Sequence, residues 1–584
     1  GTFFSAPFTN FTVLQRDSPA AVYGVVTGIS PDVAVAVTVA NATSSYTMDA
    51  VIVEAFPPMN ATWRASLRAA PAGGSFSISA ACKNCVNSQA TTIKDVTFGD
   101  VIFCSGQSNA WLPMQHTVTR NRSYAILDGP PEANVYANIR LITVPRMTAV
   151  DGEENYVLPP VDGFMWAKPN STILDGFSAM CWYTAQELTD AWHAANETAP
   201  PLGLVGSYWG GTMIELWQPN NTIANCRNAT GGPITNKQTN NGGLFNGMVA
   251  PFVNTSIKAV LWYQGENNLY MCDPDGGPFG SCGNVANSTG YACMMKNLII
   301  QWREFWGPTL PFGLVTLADG TDEGHPDIMA AFRQAQMMDN RVLHGANTGL
   351  PGVFMAAGHD AGDPTNPGDY RNGAPASRDS QGDRPYQAIY DTRPMYAGED
   401  QAVTKFFMGP IHPRVKQTVG RRLATAMLAV VYGKTNVVFT GPVVSNCSVT
   451  NNRLTLAFDA GLLLSDTVHV WNPASKLQSL LADTVQLSPS PANGAPAVWV
   501  PVPLPGSHSD GNAITLDLPT PPPNVAVTGV RYAWTSAPCC PGVDRSTIPC
   551  PPNSCPIQTY NTTLPAVPFL ATVADGVCSF PAAT

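Results

Sequence analysis

The chain has 584 residues with a formal charge of −10, 12% charged and 44% hydrophobic residues. That length exceeds what one core requires, so two to four domains are expected; the apolar share excludes a disordered chain, and the missing Gly-X-Y period excludes collagen. With 31 Lys and Arg against 41 Asp and Glu, there is no basic face for nucleic acid and no polybasic patch for an anionic membrane, and no apolar run reaches the ~18 residues of a bilayer span.

Residues 1–97 alternate short β-type runs (33–39, 50–53, 75–79) with Pro-Asp, Pro-Pro and Ala-Gly-Gly punctuation, which predicts an N-terminal β-sandwich-like domain. From 98 to 435 the texture changes. Continuous apolar runs at 101–104, 202–207, 259–263, 312–316 and 353–357 alternate with helical stretches at 185–195, 293–306, 328–338 and 416–432. Buried strands alternating with helices predict an α/β domain built on a parallel sheet flanked by helices. The polar, Gly/Pro-rich stretch 360–406 reads as a long inserted surface loop. Beyond 436, runs at 437–440, 454–458, 467–470, 498–502, 513–518 and 525–534 predict a C-terminal β domain, 436–584, again sandwich-like.

Fourteen cysteines run from Cys82 to Cys578. Cys82-x-x-Cys85 lacks the second half of a zinc site, and the cluster Cys539, Cys540, Cys550 and Cys555 sits among prolines, so disulfides are expected rather than metal. Asn-x-Ser/Thr sequons occur at Asn10, Asn41, Asn60, Asn121, Asn170, Asn196, Asn220, Asn228, Asn254, Asn287, Asn446 and Asn561. Together with the cysteines they point to a secreted or lumenal, N-glycosylated protein, and the start at Gly1 reads as a processed one.

In open α/β sheets functional groups gather past the carboxyl ends of the strands. Those positions hold Ser105-Gly106-Gln107-Ser108-Asn109, Trp209-Gly210-Gly211-Thr212, Gln264-Gly265-Glu266-Asn267 and, before the last helix, Ile411-His412-Pro413. A hydroxyl, small backbone turns, an amide and an imidazole are the parts of a hydrolase with an activated serine. Serine is a poor nucleophile unless a base takes its proton, and His412 is the histidine placed to do so. The N–H groups of Ser108 and of Gly210 or Gly211, with the Gln264 amide, are the candidate oxyanion donors. The plainer alternatives are a Gln264 that ties down its own loop, a Glu266 that is structural, and core roles for Trp111, Trp217 and Trp262 in place of a sugar platform. His116, His193, His325, His344, His359, His469 and His508 lack metal-ligand spacing and read as structural.

The same segments resemble the sialate O-acetylesterases of the SGNH (GDSL-like) hydrolase superfamily. The resemblance rests on V-I-F-C-S-G-Q-S-N (101–109), Y-W-G-G-T-M-I-E-L-W (208–217), F-N-G-M-V-A-P-F (245–252), A-V-L-W-Y-Q-G-E-N-N (259–268) and I-H-P-R-V-K-Q-T-V-G-R-R-L (411–423). It extends to F-T-V-L-Q-R (11–16), G-V-R-Y-A-W (529–534) and L-P-A-V-P-F (564–569). It implies an SGNH-type sheet, Ser108 as nucleophile, His412 as base, Gly210, Gly211 and Gln264 in the oxyanion hole, and removal of acetyl groups from sialic acids or other glycans without metal or cofactor. One departure stands out: the aspartate that such enzymes carry two or three residues before the histidine is replaced by Gly409 and Pro410. Asp360, Asp363, Asp391, Asp400 and Glu266 are the alternative orienting carboxylates. Without one, the site is a Ser–His dyad, or the chain is an esterase-fold glycoprotein retained for glycan binding or an extracellular structural role.

Overall fold

The strand Thr91–Gly106 is the spine of the molecule. Its first half pairs antiparallel with Gly73–Cys82, and its second half lies parallel between Leu202–Tyr208 and Ala259–Tyr263. The computed structural model describes residues 1–29, 32–56, 60–85, 89–149, 163–229, 242–270, 288–320, 326–338, 350–362, 411–470, 485–489, 498–500, 502, 508–509, 511–518, 525–539 and 555–580. The expected boundary at residue 97 therefore falls inside a single strand. Burial explains the change of texture there: exposed and buried positions mix up to Asp95, and every residue from Val96 to Gly106 is buried. The strand does not end; its surroundings change from one covered face to two.

The parallel part runs in the order Ile139–Thr143, Leu202–Tyr208, Thr91–Gly106, Ala259–Tyr263, Phe312–Val315, Val353–Ala356. Adjacent residues of a strand face opposite ways. Phe103 meets Trp302 and Phe252 on one face, while Cys104 is disulfide-bonded to Cys181 of helix Ala179–Ala194 on the other. Helix Ser288–Trp306 thus covers the first face, with Trp217 and Trp262 packed edge-on in the same aromatic layer. On the second face helix Ala179–Ala194 packs against Lys416–Val430 so closely that a Cβ on Gly420 would lie 2.4 Å from Tyr183 Cβ. The four helices expected in this region all form, with shifted ends.

Two smaller cores flank this one. Val22 and Trp63 from a four-stranded sheet meet Val37 and Ile78 from the extension of the long sheet in one buried cluster. The C-terminal cluster draws on an eight-stranded and a three-stranded sheet. Of the runs expected there, 437–440 does not form a strand, and Val444–Thr450 and Phe569–Ala574 form strands that were not expected. The buried guanidinium of Arg333 ties the C-terminal part to the central one, donating to the carbonyls of Leu317 and Ala318 and also of Thr535 and Ser536. The described cysteines form Cys82–Cys85, Cys104–Cys181, Cys226–Cys293, Cys447–Cys578 and Cys539–Cys555. Among the described residues no helix is long and apolar enough to cross a membrane. The described sequon asparagines are all exposed or half-buried; Asn287 lies outside the described residues.

Candidate active site

Gly106 ends the central strand at φ +134°, and a Cβ there would stand 2.0 Å from the carbonyl oxygen of Tyr263 on the next strand. Only glycine lets the chain turn this close to its neighbour. The turn delivers Ser108 to the first position of a short helix, Ser108–Trp111. Its Oγ lies 2.7 Å from His412 Nε2, across 304 residues of sequence. Ser108 is 7% exposed and His412 half-buried, so the pair lies at the sheet's carboxyl edge, largely shielded from solvent. Gly210 is the close neighbour on the other side: a Cβ there would sit 3.4 Å from Ser108 Cβ. Gly211 follows at φ +80°.

Gln107 joins the first and third motifs. Its Oε1 accepts from the N–H groups of Gly265 and Asn267 and from Gln264 Nε2, and its Nε2 donates to Asn267 Oδ1 at 2.8 Å and lies 3.4 Å from Ser108 Oγ. Here the oxyanion expectation for Gln264 meets its counter-evidence. The Gln264 Nε2 faces three internal acceptors, Gln107 Oε1, Thr212 O and Asn268 Oδ1, and its Oε1 accepts from Tyr291. A wholly buried amide with both hydrogens taken is a brace for its loop. Asn267, which the sequence reading did not single out, is half-buried beside it, and among the described residues its Nδ2 has no hydrogen-bond partner. Its signal was the residue following Gln-Gly-Glu at a strand end.

Asn109 locks the histidine loop to the serine turn. Its Nδ2 donates to Ile411 O at 2.8 Å and to Glu266 Oε1, and its Oδ1 accepts from Lys416 Nζ. All four groups are buried. Lys416 opens the helix Lys416–Val430, where a cation is disfavoured by the helix dipole, and the Asn109–Glu266 pair supplies the compensating polar surroundings. Burial pushes the Glu266 carboxyl up, opposed by the Asn109 hydrogen bond, its own backbone and the charge of Lys416. Glu266 is thus bound to Asn109. Asp360 is held by Arg422, each of its oxygens 2.6 Å from a guanidinium nitrogen. Burial opposes its ionisation, yet the charge and hydrogen bonds of Arg422 hold it below the usual carboxylate value. Asp363, Asp391 and Asp400, with Gly409 and Pro410, lie outside the described residues. Trp217 and Trp262 are core residues, whereas Trp111 is half-buried. His359 sits with Cys539 and Cys555, ligand atoms within 4.8 Å of one another, but the two sulfurs are joined to each other. Burial lowers this imidazole to about 3, so it is neutral.

No protein-family model matches the chain. Along 98% of its length it is similar to sialate O-acetylesterases. It is 28% identical over 629 residues to the Mus musculus protein, covering 95% of it, and 27% identical over 598 residues to the Homo sapiens protein, covering 93%. Its fold is similar to that of a carbohydrate acetylesterase from Xanthomonas citri, with TM-score 0.65 and 22% identity over 98% of this chain and 99% of that one.

Proposed function

We propose that the protein is a secreted serine esterase of the SGNH type that removes O-acetyl groups from sugars. The 2.7 Å contact between Ser108 Oγ and His412 Nε2, at the carboxyl ends of parallel strands, carries this reading. Ser108 Oγ attacks the acetyl carbonyl as His412 Nε2 accepts its proton. The negative charge gathering on the carbonyl oxygen is met by the N–H groups of Ser108 and of Gly210 or Gly211, and by the Asn267 amide. Gln264 holds these donors in place. His412 then returns the proton to the leaving sugar oxygen, takes another from water, and the hydroxide releases acetate from Ser108. The similarity to sialate O-acetylesterases along 98% of the chain supports the substrate class, and the disulfides with surface sequons support secretion and N-glycosylation. The β-rich parts, 1–97 and 436–584, brace the catalytic region, 98–435.

Steady-state hydrolysis of p-nitrophenyl acetate and of an O-acetylated sugar tests the reading. Wild-type turnover, lost by at least 10³-fold in both Ser108→Ala and His412→Ala, is expected. Background release by the wild type would leave an esterase-fold glycan-binding protein.

A further inference from the structure

We propose that His359, Cys539 and Cys555 form a zinc site when the disulfide between the two cysteines is reduced, so that the same two sulfurs are either bonded to each other or shared by a thiophilic cation. This site stands apart from the Ser108–His412 pair and does not depend on its chemistry.

The three ligand groups come from separate stretches, each pinned by hydrogen bonds. His359 stands on the turn after strand Val353–Ala356, where Gly358 N donates to Thr316 Oγ1 at 3.0 Å and Ala361 N to Gly358 O at 2.9 Å. Cys539 lies three residues beyond Ser536, whose carbonyl accepts from Arg333 at 2.8 Å. Cys555 precedes strand Ile557–Thr559, whose Ile557 N donates to Tyr532 Oη at 3.1 Å. A ring nitrogen of His359 and both sulfurs lie within 4.8 Å of one another, and the two cysteine Cα atoms are 4.1 Å apart. A tetrahedral zinc, with bonds of about 2.3 Å to sulfur and 2.0 Å to nitrogen, holds such atoms about 3.5–3.8 Å apart. Once the S–S bond opens, the separations must change by on the order of 1–2 Å, which side-chain rotation covers.

The imidazole itself points to a ligand. His359 is 1% exposed, and among the described residues its Nε2 has no hydrogen-bond partner. Native structures leave few buried polar atoms in that state, and a metal ion is one of the things that accounts for them. Burial also keeps the ring neutral, the form in which imidazole ligates metal. The guanidinium groups of Arg333 and Arg422 act on this ring together with the Asp360 carboxylate. Two positive charges against one negative favour the thiolates that zinc requires.

The conversion balances. The thiolate of a dithiol attacks one sulfur of the disulfide, and its second thiol then displaces that sulfur, so the dithiol leaves as a cyclic disulfide and each cysteine gains an electron and a proton. Zn²⁺ displaces both protons into water as two Zn–S bonds and one Zn–N bond form, with water in the fourth position.

The test uses the full-length protein, treated with dithiothreitol without denaturant, freed of it anaerobically and titrated with zinc chloride. The reduced wild type should take up one more zinc per chain than the oxidised protein, and cobalt chloride in its place should give thiolate-to-cobalt charge-transfer absorption. Zinc should shield Cys539 and Cys555 from iodoacetamide, a peptide mass-spectrometric readout on the wild type that needs no variant to fold. Cys539→Ser/Cys555→Ser should lose this zinc, and His359→Ala should bind it at least ~10-fold more weakly, the floor for losing even an outer-shell partner. A Cys539–Cys555 bond that resists dithiothreitol in the native protein, or cysteines left unshielded by zinc, overturns the proposal. So does an extra zinc that survives Cys539→Ser/Cys555→Ser, or wild-type affinity in folded His359→Ala.

Discussion

Replacing Asn109 with alanine removes a side chain that ties the serine turn to the histidine loop. In the wild type its amide satisfies Ile411 O, Glu266 and Lys416 at once. The alanine strands a buried carbonyl, at about 1–3 kcal/mol, and deprives a buried carboxylate and a buried ammonium of their shared partner. Breaking such a charged arrangement costs about 3–5 kcal/mol in all. Ile411 directly precedes His412, so the imbalance is felt at the imidazole that meets Ser108. A displacement of about 1 Å there costs on the order of 10²-fold in rate. The expected result is a lower urea midpoint and a kcat on p-nitrophenyl acetate down about 100-fold, with KM little changed. Asn109→Asp should be at least as harmful, because it sets a carboxylate against Glu266 and Ile411 O, and Glu266→Gln in that background should restore part of the rate by supplying a donor. A kcat within threefold of wild type in folded Asn109→Ala would refute the reasoning.

Gly106→Ala should abolish activity and soluble expression together, since the new methyl would lie 2.0 Å from Tyr263 O at a φ of +134°; a folded, active variant in an expression and activity screen would contradict this. The Asp360–Arg422 pair makes acid stability a signature. The folded pKa of Asp360 is depressed, so its contribution is whole above the unfolded value near 4 and is lost as pH falls through the lower folded one. Urea midpoints of wild type and Arg422→Met should therefore differ most at neutral pH and converge below about pH 4. Removing Cys104–Cys181, a link across 77 residues behind the serine turn, with a Cys104→Ala/Cys181→Ala double variant should cost about 4 kcal/mol in a denaturant titration.

Much of the central architecture was legible because buried parallel strands announce themselves as unbroken apolar runs: 259–263 coincides with the strand Ala259–Tyr263, and 202–207 falls one residue short of Leu202–Tyr208. Ile139–Thr143 escaped notice because Arg140 interrupts it, its guanidinium satisfied by the carbonyls of Ala137 and Ile139. The run 437–440 has strand composition but, among the described residues, no strand pairs with it. At the site, motif position singled out Ser108 and His412, and the fold brings the two to 2.7 Å of each other. The task of Gln264 was not legible, because an amide in a strand-end motif looks the same whether its hydrogens point to substrate or to Thr212 and Asn268. Nor was Asn109, whose partners Ile411 and Lys416 come from a segment some 300 residues away and whose partner Glu266 is 157 away. The motif at 11–16 matters for a reason invisible in sequence: Gln15 and Arg16 grip Asp100, the buried residue where the parallel pairing begins.

That grip bears on any attempt to trim the protein. A fragment opened at residue 98 would sever the sixteen-residue strand at its waist, discard the guanidinium that neutralises Asp100, and present a raw, sticky sheet margin to its neighbours in solution. Any shortened version of this scaffold would do better to keep the amino-terminal hundred residues, which serve less as an appendage than as the far end of the same beam.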